Sequence, residues 1–209
     1  MKKGKTIRNL TPYVVIFVEG DTDEIVFRRL VDYYRVNSTT PVHSCEIQNM
    51  KGVCRYASSK FIGKLEAELI PKTKRKGMKI YGVSCSYDTD VFDNEETPLV
   101  DWNRLKKSIL RLGIEEFCKV EVKNAIEDWL LDDIEGLCKF LKQKEVPKSL
   151  KGSNGYTKLL NLFKRSGKIY AKGLSIEDFI DYLSMEKIRG KRKNELSELE
   201  RILNVAIEN

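Results

Sequence analysis

The chain alternates short apolar runs with longer segments in which apolar residues recur every three or four positions. Four of the short runs predict β-strands, at 11–18, 41–48, 79–87 and 117–122. The first run ends in five consecutive apolar residues, 14–18, which is typical of a strand covered on both faces. Strands that alternate with helices in this way predict an α/β fold with a mostly parallel, four-stranded central sheet flanked by helices.

Helical periodicity occupies the intervals between the predicted strands. We expect helices at 21–34, 53–69 and 102–112, with a polar loop at 93–98 before the last of them. Pro71 should stop the second helix, because proline lacks the backbone N–H that a helix interior requires. Residues 72–77 should then form a charged loop.

Three pairs of polar residues have the spacing of a capping box, in which side chains accept hydrogen bonds from free N–H groups at a helix start. The pairs are Asp21 with Glu24, Asn124 with Glu127, and Ser175 with Asp178. Capping is the interpretation we favour for the first pair. For Glu127, capping and metal binding both stay open.

The last quarter of the chain has a different organisation. Residues 147–155 resemble a linker, and the sequence beyond them predicts helices at 156–163, 176–187 and 195–207. We therefore expect a main α/β domain over 1–146 and a helical C-terminal extension over 147–209 that packs on it.

Three acidic residues stand where predicted strands end. Glu19 follows the first strand, and Asp88 and Asp90 follow the third. Because the carboxyl ends of parallel strands meet at one edge of a sheet, these side chains should converge there. On an extended segment, residues two apart also point to the same side. Close carboxylates repel one another unless a cation neutralises them, and oxygen ligands suit Mg²⁺ or Mn²⁺.

The overall charge favours a polyanionic partner. The chain has 38 Lys and Arg against 31 Asp and Glu, a net charge of +7. Two basic stretches, 72–76 and 187–193, are candidates for contact with a phosphate backbone, and both are equally compatible with a solvated surface. A phosphodiester in nucleic acid is thus the substrate that we favour for the cation site.

Histidine and cysteine usage excludes several classes of site. The single histidine, His43, excludes sites that need paired imidazoles, and we interpret it as structural. The five cysteines form no C-x-x-C pair and are interpreted as reduced core thiols. The apolar windows are too short to cross a bilayer, and no signal-like segment follows the basic N-terminus. A cytoplasmic location is the resulting expectation.

Two short motifs carry a resemblance to a known family. The segment Val-Glu-Gly-Asp-Thr-Asp-Glu at 18–24 and Tyr-Asp-Thr-Asp at 87–90, with Lys-Gly at 51–52 between them, resemble the Toprim domain over about residues 11–125. That domain is shared by topoisomerases, bacterial primases and the overcoming-lysogenization-defect (OLD) nucleases. The chain is most similar to stand-alone or defence-associated Toprim proteins of the OLD-like or RloB-like kind.

The resemblance implies roles for particular residues. Glu19 would match the Toprim glutamate, a metal ligand or general acid/base, and Asp88 with Asp90 the paired aspartates that bind Mg²⁺. Glu127 matches an additional acid found near this position in OLD-like proteins. A catalytic lysine of the C-terminal region would match Lys158 or Lys172, each of which occurs in a Tyr-x-Lys sequence.

These features predict a Mg²⁺-dependent nuclease that acts on DNA or RNA, tRNA included, with a defence role implied by the resemblance. The first alternative is a noncatalytic Toprim module that binds nucleic acid or belongs to a larger defence complex. A phosphoacceptor receiver domain is a second alternative, since it also gathers acids at a sheet edge. The chain has no G-x-x-x-x-G-K-[ST] motif, so an ATPase or sensor partner would be another protein. Oligomeric state, including a homo-oligomer, stays open.

Overall fold

A four-stranded, all-parallel sheet forms the centre of the molecule in the computed structural model, which describes residues 10–93 and 99–208. The strands are β1 (Thr11–Val18), β2 (Ser44–Asn49), β3 (Met78–Asp88) and β4 (Glu116–Val122), in the order β2-β1-β3-β4. The α/β class and the parallel sheet are as the alternating pattern predicts. Strand β2 starts three residues later than expected. The basic N-terminus and most of the predicted polar loop at 93–98 lie outside the described residues.

Ten α-helices cover the sheet within the described residues, several of them extended by 3-10 or π turns. They are α1 (Asp21–Asn37), α2 (Ser59–Lys64), α3 (Ile70–Arg75), α4 (Trp102–Arg111), α5 (Ile126–Leu130), α6 (Ile134–Phe140), α7 (Gly155–Arg165), α8 (Ile176–Phe179), α9 (Met185–Lys191) and α10 (Lys193–Leu203). None of the helices in the described ranges is both long and apolar enough to cross a membrane.

The sheet separates two apolar cores. Alternate residues of β1 face opposite sides, with Val14 and Ile16 in one core and Val15 and Phe17 in the other. The first core includes α1 and side chains from the helices after residue 147, such as Leu159 and Leu199. The C-terminal helices therefore bury their apolar faces against the same sheet as α1 does.

The region around Pro71 differs from the prediction. A helical segment runs from Ser59 to Arg75, passing through a π-helical turn at Leu65–Leu69 before α3 begins. Pro71 lies in the first turn of α3, where a missing N–H costs little. Residues up to Arg75 are therefore helical, and the expected charged loop is limited to the turn at 76–77.

None of the three predicted capping boxes forms. The N-cap of α1 is Gly20 and that of α5 is Ala125, and neither provides a side-chain cap. Asn124 instead has a positive φ of 62° and ends the turn before α5. Ser175 does precede α8, but its hydroxyl bonds Ala171 and Ile169 rather than the helix start. The acidic residues of these pairs therefore do not cap the helices.

The predicted C-terminal helices have different limits in the structure. The expected helix at 176–187 is interrupted: α8 passes into a 3-10 turn at Ile180–Tyr182, and α9 starts anew at Met185. The last helix ends at Leu203 because Asn204 adopts the left-handed conformation, with φ 61°. His43 lies just before β2 with its Nδ1 atom 3.0 Å from the carbonyl oxygen of Ile202, which fits the structural role expected for it.

Candidate functional site

The candidate site lies at the carboxyl edge of the sheet, between its two central strands. Glu19 follows β1, and Asp88 is the last residue of β3. The chain leaves β1 toward β2 and leaves β3 toward β4, on opposite sides, so this edge is a topological switch point where α/β proteins place ligands. The backbone N–H of Asp88 donates to Glu19 Oε2 at 3.1 Å, which joins the two strand ends.

Asp90 is close to the cluster but is held differently from Asp88. The strand ends at Asp88, and Asp90 lies in a 3-10 turn over Thr89–Asp93, so the two aspartates do not share one extended segment as expected. The N–H of Asp90 donates to the carbonyl oxygen of Asn124 at 3.1 Å. Burial raises the pKa of Asp90, an effect opposed by the nearby Lys172. Asp90 therefore belongs to the rim of the site.

Glu127 forms the back wall. It lies in the first turn of α5 with no exposed surface, and its Oε1 atom accepts a hydrogen bond of 3.1 Å from the Tyr170 hydroxyl. Asp88 Oδ1 accepts the N–H of Ile126 at 3.0 Å, so one carboxylate both ends β3 and anchors the start of α5. Two of the predicted site residues are thus tied together through the backbone of a single helix.

Lys172 brings a positive charge into the acidic cluster. Its Nζ atom lies 3.6 Å from Asp88 Oδ2 and 3.4 Å from Glu127 Oε2. The loop that carries it is fixed to α1, because the N–H of Gly173 donates to Thr22 Oγ1 at 2.9 Å. Partial burial lowers the pKa of Lys172, but the carboxylates of Glu127, Asp88 and Asp23 outweigh this effect and raise it, so the ammonium form is favoured.

Asp23, which lies in the motif at 18–24, is a member of the cluster that the sequence pattern did not predict. Its side chain is buried, and it acts electrostatically on Glu19, Asp88 and Lys172. The signal was present in the periodicity, since Asp23 falls on the same helical face as Val26, Phe27 and Leu30. A carboxyl group is rarely buried on the apolar face of a helix unless it has a partner there.

Burial and mutual repulsion shift the acids toward their neutral forms. Burial, together with the charges of Asp23 and other acids, raises the pKa of Asp88 to about 9, although Lys172 opposes the shift. Burial and Glu19 raise the pKa of Asp23 to about 7. Burial also raises the pKa of Glu19, against the hydrogen bond from Asp88. One lysine is therefore not enough to keep every carboxylate ionised at neutral pH.

Lys158, the other predicted lysine, lies elsewhere. It projects from α7 and lines a separate cavity that contains none of the acids of the site. Of the two lysines in Tyr-x-Lys sequences, only Lys172 lies among the carboxylates of the site. Tyr170, from the same pattern, is a second residue that sequence reasoning missed as a site member, and it reaches Glu127 directly.

The carboxylate oxygens of the site are suitable ligands for a hard cation, although Lys172 lies between two of the carboxylates. Two buried carboxylate oxygens, Glu127 Oε2 and Asp23 Oδ1, have no hydrogen-bond donor. Oxygen-only donor sets of this kind fit Mg²⁺ or Mn²⁺. Within 10–93 and 99–208, however, no three His, Cys, Asp or Glu side chains form a ready-made metal site. The Lys172 ammonium group takes the position between Asp88 and Glu127.

Comparison of the chain with protein-family models, with curated proteins and with solved structures gives no match. The fold and the site together define a parallel α/β protein with a lysine-bridged acidic cluster at its switch point.

Proposed function

We propose that this chain is a Mg²⁺- or Mn²⁺-dependent nuclease with a Toprim-like catalytic centre that hydrolyses phosphodiester bonds in nucleic acid. The observation that supports this most directly is that acids from three separate segments of the chain, Glu19, Asp88 with Asp90, and Glu127, converge on one sheet edge around Lys172. A cluster of buried, mutually repelling acids costs stability, and such costs are concentrated at functional sites.

Glu19, Asp88, Asp90 and Glu127 are the residues that would hold the metal. When bound, a divalent cation would polarise the phosphate and lower the pKa of a water molecule that attacks phosphorus. Binding would require Lys172 to leave its position between Asp88 and Glu127. Its side chain is about half exposed and flexible, so its ammonium group can turn outward toward a substrate phosphate.

The other residues set charge and position. Tyr170 holds Glu127 in one orientation through its hydroxyl. Lys172 offsets negative charge, first that of the carboxylates and then that developing on the scissile phosphate. Asp23, with a pKa of about 7, holds or releases a proton within the cluster as the total charge of the site changes.

Nucleic acid as the substrate is supported by the charge of the chain, +7, and by a cavity beside α7 that is lined by cationic side chains. A role in bacterial or phage defence rests on the resemblance to OLD-like and RloB-like proteins. DNA and RNA are both within the proposal.

A noncatalytic nucleic-acid-binding module is the second candidate, and one observation favours it. Lys172 already lies between Asp88 and Glu127 and contributes a positive charge there without any metal. In that case the cluster would be a structural ion-pair network, and added Mg²⁺ would neither stabilise the protein nor support cleavage.

The test is a cleavage assay with the full chain on labelled single- and double-stranded DNA and RNA, in Mg²⁺, in Mn²⁺ and in EDTA. We expect metal-dependent cleavage that Glu19→Gln reduces at least 100-fold, on the scale of lost metal or acid/base catalysis. The matched control is Glu66→Gln, an exposed glutamate on the π-helical turn, which should cleave like the parent. Equal activity of Glu19→Gln and parent, or none in either, would count against the nuclease.

Metal binding can be measured without a substrate. Mn²⁺ should raise the melting temperature of the parent and of Glu66→Gln, and Glu127→Gln should remove most of the rise. Lys172→Ala should bind Mn²⁺ more tightly than the parent, because the competing ammonium group is gone, yet cleave more slowly. A melting temperature unaffected by Mn²⁺ in every variant would favour the noncatalytic candidate.

A further inference from the structure

A second charged feature lies beside α7, outside the acidic cluster. The segment 147–154 folds back on the helix, and the two enclose a cavity of about 770 Å³. Five cationic side chains line it: Lys148, Lys151, Lys158, Lys164 and Arg165. No acidic residue is among its lining residues.

These cations are not neutralised within the part of the chain that the structure describes. None of the five forms an ion pair there with a carboxylate. The basic stretch at 187–193 is the opposite case. There Lys187 pairs with Asp133, Arg189 with Glu200 and Arg192 with Asp132. The basic stretch at 187–193 is thus largely paired internally, whereas the cations around α7 come from separate positions and are brought together without a carboxylate partner.

The cavity is held in shape by the protein itself. The Asn161 side chain donates to the carbonyl oxygen of Lys151 at 2.9 Å, which fastens the segment to the helix. Asn154 and Thr157 form a capping box at the start of α7. Leu162, at the base, is buried in the core. Like charges brought together on a fixed frame repel one another, and a bound polyanion relieves that repulsion.

The position of the cavity relates it to the acidic cluster. Gly155, the first residue of α7, packs so closely on Asp128 that a Cβ would lie 2.7 Å from the Asp128 backbone nitrogen. Asp128 is the neighbour of Glu127. From there the 11 residues of α7 extend about 15 Å, given a rise of about 1.5 Å per residue. In B-form DNA each strand carries a phosphate about every 3.4 Å of helix axis, so that distance spans about four base pairs.

We propose that this cavity binds the phosphate backbone of nucleic acid, and that it holds the strand whose scissile phosphate reaches the acidic cluster. Lysine presents a point charge and does not read base edges, so binding is independent of sequence. Lys158 is then a binding residue and takes no part in the chemistry. The link to cleavage rests on the proposed nuclease function, whereas the binding site itself does not.

The test measures binding in EDTA, where cleavage is excluded, by fluorescence anisotropy of labelled 20-nucleotide DNA and RNA strands. The variant combines Lys148→Glu, Lys151→Glu and Lys164→Glu, which are all exposed positions. The control combines Arg104→Glu, Lys107→Glu and Arg111→Glu on α4, also exposed and with the same change in net charge. Circular dichroism verifies that both variants fold, and a triple Lys→Gln variant of the cavity provides a milder change.

We expect the cavity variant to bind on the order of 10- to 100-fold more weakly than the parent, with the slope of log affinity against log salt reduced by about 2, as for three lost single-strand contacts. The control should change less than the cavity variant in both respects. Equal weakening in both variants, or none in the cavity variant, would overturn the proposal. Binding of inorganic tripolyphosphate by a protein that does not bind the DNA or RNA strands would also overturn the proposal. If the strands bind through the cavity but are not cleaved in Mg²⁺, the binding site is supported and only the proposed nuclease activity is contradicted.

Discussion

The ammonium group of Lys172 lies 3.4 Å from Oε2 of Glu127, a carboxylate with no exposed surface. The two residues belong to different parts of the chain, Glu127 to the start of α5 and Lys172 to the loop after α7. A buried carboxylate without a nearby positive charge is strongly disfavoured. The loop after α7 is therefore needed to keep the acidic edge of the sheet compatible with folding when no metal is bound.

Removal of this lysine should destabilise the protein. In Lys172→Ala, Glu127 and Asp88 lose their cationic partner, and we expect a decrease of about 1–2 kcal/mol in the free energy of unfolding at pH 7.5, less than for a fully buried pair because Lys172 is half exposed. Urea unfolding in EDTA measures it. Lys139→Ala, an exposed lysine on α6, should change stability by less than about 0.5 kcal/mol. A Lys172→Ala protein as stable as this control would contradict the pairing.

The pH dependence of the free energy of unfolding should reflect the raised pKa of Asp88. Its pKa is raised from an ordinary value of 3.8 to about 9, so the folded state keeps a proton that the unfolded chain loses. The associated stability is fully present below about pH 4 and is lost as pH rises toward about 9. The raised pKa of Asp23 acts in the same direction up to about pH 7. The free energy of unfolding in EDTA should therefore fall between pH 5 and pH 9.

Asp88→Asn isolates this contribution. Its side-chain carbonyl can still accept the N–H of Ile126, but it cannot ionise. We expect a flatter pH profile and a gain on the order of 1–3 kcal/mol at pH 8 relative to the parent. Asp178→Asn, an exposed aspartate on α8, should keep the parent profile. Parallel profiles for parent and Asp88→Asn would show that Asp88 is ionised in the folded state throughout.

Sequence patterns predicted the sheet better than they predicted the helices and the site. Strand β1 matches its prediction at both ends, because an apolar run covered on both faces leaves little freedom in its limits. Pro71 was misleading, since a π-helical turn precedes α3 and places the proline where no N–H is needed. Lys158 and Lys172 have the same local pattern, and only the path of the loop after α7 distinguishes them.

Gly155 should tolerate no side chain. A Cβ there would lie 2.7 Å from the nitrogen and 2.8 Å from Cγ of Asp128, so Gly155→Ala must push α7 away from α5. We expect a loss of about 1–3 kcal/mol in the free energy of unfolding, typical of overpacking. Gly63→Ala in α2 meets nothing within 4 Å and should stabilise by about 0.5–1 kcal/mol through helix propensity. Chemical denaturation of the two variants checks both signs, and a stabilising Gly155→Ala would contradict the close packing of α5 and α7.

Tyr170→Phe tests whether the orientation of Glu127 matters. The Tyr170 hydroxyl, on a buried ring, donates to Glu127 Oε1 at 3.1 Å, and its loss leaves a fully buried carboxylate oxygen without that donor. We expect a decrease of about 1–2 kcal/mol in the free energy of unfolding and a weaker stabilisation by Mn²⁺. Tyr156→Phe is the matched control, because that ring lies 5.9 Å from Tyr170 and is partly exposed. If both variants respond to Mn²⁺ like the parent, Tyr170 only packs, and Glu127 is positioned by α5 and Lys172 alone.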